Sequence, residues 1–70
     1  MSEEEILKMW YEGITRLKLA KIYQRRYNHN VEIIRLDMRN RHVRFLTYVE
    51  ALNRVERIIL QDVKNKNNIY

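Results

Sequence analysis

The sequence predicts an α+β fold, a small α-β-β-α unit with its helices packed on one face of an antiparallel hairpin. It would form one domain over residues 1–64, with a frayed polar tail at 65–70. Three observations point there. Two capping boxes, Ser2-Glu3-Glu4-Glu5 and Thr47-Tyr48-Val49-Glu50, each stand just before an apolar run and mark a helix start. Between the two helical regions, residues 31–47 are rich in β-branched side chains that alternate with polar ones. Finally, the chain has no proline and a single glycine, so its punctuation falls to caps and asparagines.

The first helical region carries Ile6, Trp10, Leu17, Ala20 and Tyr27 at helical spacing, flanked by Leu7, Ile14 and Tyr23. Gly13-Ile14-Thr15 can break it, because glycine costs about 1 kcal/mol inside a helix and Thr15 can cap a second one. Asn28-His29-Asn30 is expected to close the region, since asparagine favours turns and left-handed caps. The hairpin then runs over Val31–Met38 and Arg41–Thr47, with its turn at Arg39-Asn40. One face pairs Leu36 with Val43 and Ile34 with Phe45; the other pairs Asp37 with His42 and Arg35 with Arg44. The last helix presents Leu52, Val55, Ile59 and Val63 as its inner stripe and ends in Lys64-Asn65-Lys66-Asn67-Asn68.

An all-helical alternative exists. Val31, Ile34, Met38, Phe45, Tyr48, Leu52, Val55 and Ile59 fall on a heptad series broken only at Arg41, which a helix over 31–64 would satisfy. The segment Ile6-Leu7-Lys8-Met9-Trp10-Tyr11-Glu12-Gly13-Ile14-Thr15, followed by Leu19-Ala20-Lys21-Ile22-Tyr23, resembles the first two helices of helix-turn-helix DNA-binding proteins. The resemblance implies that Ala20 is the small buried residue of the second helix and that Val31 and Ile34 face inward from a recognition helix. It covers about half the chain. The family's turn glycine is missing, with Gln24 near its place, and Arg25-Arg26-Tyr27 lengthens the turn. On this reading the fold is an all-α helix-turn-helix with a long C-terminal helix.

Charge is the strongest functional signal. Residues 16–44 carry nine cations against Glu32 and Asp37, a balance of +7, whereas residues 1–15 sum to −3 and residues 45–70 to +1. A field concentrated in this way attracts a polyanion, and arginine forks suit phosphates. The expected contacts are Lys18, Lys21, Arg25 and Arg26 on the first helical region, with Arg35, Arg39, Arg41 and Arg44 on the hairpin face and tip. Tyr23 and Tyr27 could stack on bases, but at i,i+4 spacing they read more readily as an aromatic pair at the core edge.

Catalytic material is scarce. The chain has one serine, in a cap, no cysteine, and no glycine-rich loop to cradle a phosphate. Asp37 and His42 read as a surface cross-strand pair rather than an acid–base couple, and Glu3, Glu4 and Glu5 as complements of a helix dipole rather than metal ligands. No enzyme, metal or cofactor is expected. No apolar run approaches the roughly 18 residues that span a bilayer, and the acidic start is unlike a signal peptide, so cytoplasmic residence is expected.

At 70 residues the chain would bury only about 60% of its unfolded surface, and without disulfides or a metal a partner chain is the remaining support. A homodimer is therefore expected. The partners indicated are nucleic acid, DNA ahead of RNA, or an acidic protein for which the chain would be an adaptor or inhibitor; no membrane partner is. The shortness, lack of cysteine and asparagine content suggest a phage or mobile element.

Overall fold

The computed structural model describes residues 2–37 and 44–67, and they form three helices: α1 (Glu3–Tyr11), α2 (Arg16–Asp37) and α3 (Tyr48–Asn67). Among the described residues there is no strand, and none of their helices is long and apolar enough to cross a membrane. The fold is all-α, with a long C-terminal helix. The α-β-β-α expectation is overturned.

Each helix start uses the cap its sequence offers. The Ser2 hydroxyl accepts from the Glu5 N–H at 3.4 Å, and three glutamates occupy the first turn of α1, where the helix dipole favours negative charge. Thr15 accepts from the Lys18 N–H at 3.3 Å and opens α2. Thr47 and Glu50 form a reciprocal box at α3: the Thr47 hydroxyl accepts from the Glu50 N–H at 3.2 Å, while the Thr47 N–H donates to the Glu50 carboxylate at 3.4 Å. Between α1 and α2 the chain turns through a Schellman motif. The Gly13 N–H donates to Trp10 and the Ile14 N–H to Met9, both at 3.1 Å, with Gly13 at φ +97°. That positive φ is why glycine stands at this position.

Val31 to Asp37, expected as the first strand, is the last part of α2. Asn28-His29-Asn30 does not end the helix, because the Asn28 side chain is used over a long range. Its Oδ1 accepts from the Leu46 N–H at 2.7 Å and its Nδ2 donates to the Leu46 carbonyl at 3.1 Å; Gln24 Nε2 reaches the same carbonyl at 3.2 Å. The Asn28 amide thus stands in for a ladder partner, and residues 44–47 run into α3 with the Leu46 peptide groups satisfied by side chains of α2. Of the expected inner face, Ile34 and Phe45 are 37% and 42% exposed. Because residues 34 and 35 are in helix and residues 44 and 45 are in no strand, the expected cross-strand pairings of Arg35 with Arg44 and of Ile34 with Phe45 are overturned. The Arg39-Asn40 turn, Arg41, His42 and Val43 lie outside the described residues.

The single helix over 31–64 is also absent, since residues 44–47 are not helical and Thr47 caps a new helix. Nor does α2 show the turn that the helix-turn-helix resemblance places near Gln24–Tyr27: it is continuous helix from Arg16 onward. Ala20 is fully buried, as the resemblance implied, but against Leu46 and Ala51.

Contacts order α2 and α3 antiparallel. Arg16 near the start of α2 meets Glu56, Leu19 clusters with Val55, Ala20 with Ala51, and Asn28 with Leu46. One core cluster takes one fully buried residue from each helix, Ile6, Leu19 and Val55, with Trp10, Ile14 and Ile59 packed around it. The second joins Ala20, Leu46 and Ala51, with Tyr27 and Leu52 at its edge. At the far end of α3, Tyr11 hydrogen-bonds Asp62 and Lys66, and the Lys66 ammonium lies 4.0 Å from the Tyr11 ring centroid.

This core is thin. A chain of 8.8 kDa should expose about 4,800 Å² when compactly folded, yet this one exposes 5920 Å². The radius of gyration is 14.2 Å, against about 11 Å for a compact chain of this length.

The Asn28 clasp carries a measurable consequence. Asn28→Ala leaves the Leu46 N–H without its partner and is expected to destabilise the fold by about 1–3 kcal/mol. Urea unfolding together with faster amide exchange at Leu46 would report it. Unchanged exchange at that amide would show that the clasp contributes nothing.

Candidate nucleic-acid interface

The long helix α2 buries the side that carries Leu19, Ala20, Tyr23 and Tyr27 against α1 and α3. At 3.6 residues per turn this leaves Lys18, Lys21, Arg25 and His29 on one outer arc, and all four are exposed. Lys18, Lys21 and Arg25 form no ion pair with any described residue. Two open grooves border the arc. One, of about 590 Å³, lies between α2 and the start of α3 and is lined by Lys21, Arg25, His29 and Tyr48 among others, with Glu32 the one acidic residue among the described residues of its lining. The second, of about 520 Å³, lies on the α1 side and shares Arg25 and His29 with the first.

The remaining cations expected at the site divide differently. Arg26 pairs with Glu5 of α1 at 2.9 Å, across exposed surface. Arg44 holds Glu50 in a bidentate fork, Nη1 to Oε1 at 2.7 Å and Nη2 to Oε2 at 2.6 Å, and so belongs to the N-terminal cap of α3. Arg35 lies near the end of α2, and Arg39 and Arg41 lie outside the described residues. The structure thus brings Lys18, Lys21 and Arg25 together, sets Arg26 beside them with its charge answered, and places Arg44 elsewhere.

The Arg44 fork and the Thr47 hydroxyl together hold the Glu50 carboxyl down from the usual 4.5 to about 2. A carboxylate depressed on folding supports the fold fully above its ordinary range, and that support is lost as the pH falls from 4.5 toward 2. The first turn of α3 is therefore expected to loosen in that window, with the Glu50 side-chain carbon resonance titrating near 2. A midpoint near 4.5 would mean that the fork does not persist in solution.

Tyr23 and Tyr27 are placed at the core edge. Their rings stack at 6.4 Å between centroids with 16° between planes, and the Arg54 guanidinium lies 5.1 Å from the Tyr27 centroid. With one flank against Arg54 and both rings half-buried, they do not form an open platform for bases.

Three residues of this region were not anticipated: His29, which continues the arc one turn beyond Arg25, and the amides Gln24 and Asn28, which line the larger groove. The i,i+4 step from Arg25 to His29 was a sufficient signal for the first. Nothing local signalled that both amides would be engaged by Leu46. Their engagement matters chemically, because an amide committed to backbone groups is not available for the bidentate reading of adenine. The arc offers charge along a helix surface rather than a set of base-reading groups.

No known protein family, curated protein or solved structure matches this chain.

Proposed function

We propose that this chain is a small nucleic-acid-binding module that grips the phosphate backbone through the outer arc of α2, duplex DNA ahead of RNA, and acts within the cytoplasm without catalysing a reaction. The observation that carries this reading is the contrast among its cations. Arg16, Arg26 and Arg44 each meet a carboxylate, whereas Lys18, Lys21 and Arg25 stand in line on one exposed face with none among the described residues. A helix of this length, about 33 Å at 1.5 Å per residue, is long enough to follow a groove or cross a phosphate backbone. With Gln24 and Asn28 committed to Leu46, affinity would come from phosphate contacts, with little discrimination between base sequences.

Fluorescence anisotropy with a labelled random-sequence duplex, a single strand and an RNA hairpin tests this. Binding should be present at low salt and weaken linearly on a log–log plot, with a slope of about −0.9 per phosphate neutralised on duplex DNA. Absence of binding to all three at low salt, or tight binding unchanged by salt, would overturn the reading. Salt-sensitive capture of polyglutamate but of no nucleic acid would instead assign the arc to an acidic protein.

A further inference from the structure

Helix α3 presents a second surface, distinct from the basic arc. Away from the core it exposes Val49, Leu60 and Val63, at 64%, 54% and 48%. Their spacing of eleven and three residues keeps them on one side of the helix, and Asn53, Glu56 and Arg57 lie among them. An open groove of about 340 Å³ runs along this face, lined by Asn53, Glu56, Arg57 and Leu60. Arg57 meets no carboxylate among the described residues, and Glu56 has only a long 3.7 Å approach from Arg16, with both side chains well exposed.

We propose that this face of α3 is where two copies of the chain meet, antiparallel, about a two-fold axis passing between Glu56 and Arg57. The pattern is complementary to itself. With the axis there, Glu56 lies opposite Arg57 of the partner subunit, and the symmetry makes that ion pair twice. Leu60 then enters the hole bounded by Val49, Leu52, Asn53 and Glu56 of the partner subunit, residues spaced i, i+3, i+4 and i+7, which is the knobs-into-holes arrangement of paired helices. A parallel pairing would set Glu56 against Glu56 and Arg57 against Arg57, so the charges select the antiparallel one. The antiparallel pair also aligns the two helix dipoles favourably.

The self-complementary charges make a second copy the occupant of this face. The inference does not depend on nucleic-acid binding, and the basic arcs of the two copies remain open.

Sedimentation equilibrium on the full chain, without nucleic acid, tests it. The wild type should sediment as a dimer of the 8.8 kDa chain at tens of micromolar. L60E should raise the dimer dissociation constant at least tenfold while leaving helical circular dichroism unchanged, because Leu60 is not a core residue. R57E should weaken the dimer, and the swap R16E/E56R/R57E should restore it by re-forming the pair with its signs exchanged, the change at residue 16 keeping the contact within each copy attractive. A monomeric wild type at several hundred micromolar, or a dimer indifferent to L60E, would overturn the proposal. Failure of the swap to rescue R57E would overturn the antiparallel register.

Discussion

Leu19→Ala is expected to unfold a large fraction of the molecule at room temperature. Leu19 is fully buried in the cluster that joins all three helices, with Ile6 from α1 and Val55 from α3 as its fully buried partners. A leucine truncated in such a place loses about 2–5 kcal/mol. Seventy residues typically hold only about 3.5–10 kcal/mol in total, so the substitution removes much or all of the margin. Thermal melts followed by circular dichroism should show a fall of about 10–30 °C in Tm. Leu17→Ala, two residues earlier on the exposed side, should change stability by no more than about 0.5 kcal/mol. Equal effects at the two positions would contradict the phase of α2 described above.

The second large effect concerns binding. Reversing Lys18, Lys21 and Arg25 together to glutamate replaces three attractive phosphate contacts by three repulsive ones on the same helix face. Affinity for duplex DNA at 50 mM salt should fall at least a hundredfold, with the fold intact because none of the three side chains is paired with a carboxylate among the described residues. Reversal of Arg44 is a useful contrast. It should loosen the start of α3 through Glu50 and alter stability more than binding. A variant K18E/K21E/R25E that still bound as the wild type does would remove the α2 arc from consideration.

Much of the helical framework was legible in the sequence. Ser2, Thr15 and Thr47 all act as caps, and the first helical region breaks at Gly13, where glycine's cost inside a helix and the Thr15 cap place the break. Caps and glycine turns are decided within four or five residues, so local patterns report them well. The hairpin failed for the opposite reason. Asn28 has the local pattern of a stop signal, but its amide is committed to Leu46, eighteen residues away, and no local pattern carries that information. β-branched content misled in the same way, since Val31 is buried within a helix and Ile33 lies exposed on it. Leu17 falls on the inner stripe only if one helical phase runs through Gly13. The turn resets that phase, and Leu19 takes the core position instead.

The cationic centre of the chain was equally plain, but its geometry was not. Charge along the sequence shows that cations are plentiful without showing which are already answered by carboxylates from other elements. Glu5 reaches Arg26 from α1, and Glu50 turns back across its own cap to Arg44. Once those are set aside, the described side chains that remain together are three, at i, i+3 and i+7 on one helix, while Arg39 and Arg41 lie outside the described residues.

The most direct test of that grouping is the salt dependence of duplex binding by the wild type and by the charge-removed variant K18Q/K21Q/R25Q, measured by anisotropy over 50–200 mM salt. If these three side chains neutralise phosphates, the log–log slope of the variant should be shallower by about 2.7. An unchanged slope with unchanged affinity would place the phosphate contacts elsewhere on the molecule and contradict the assignment to α2.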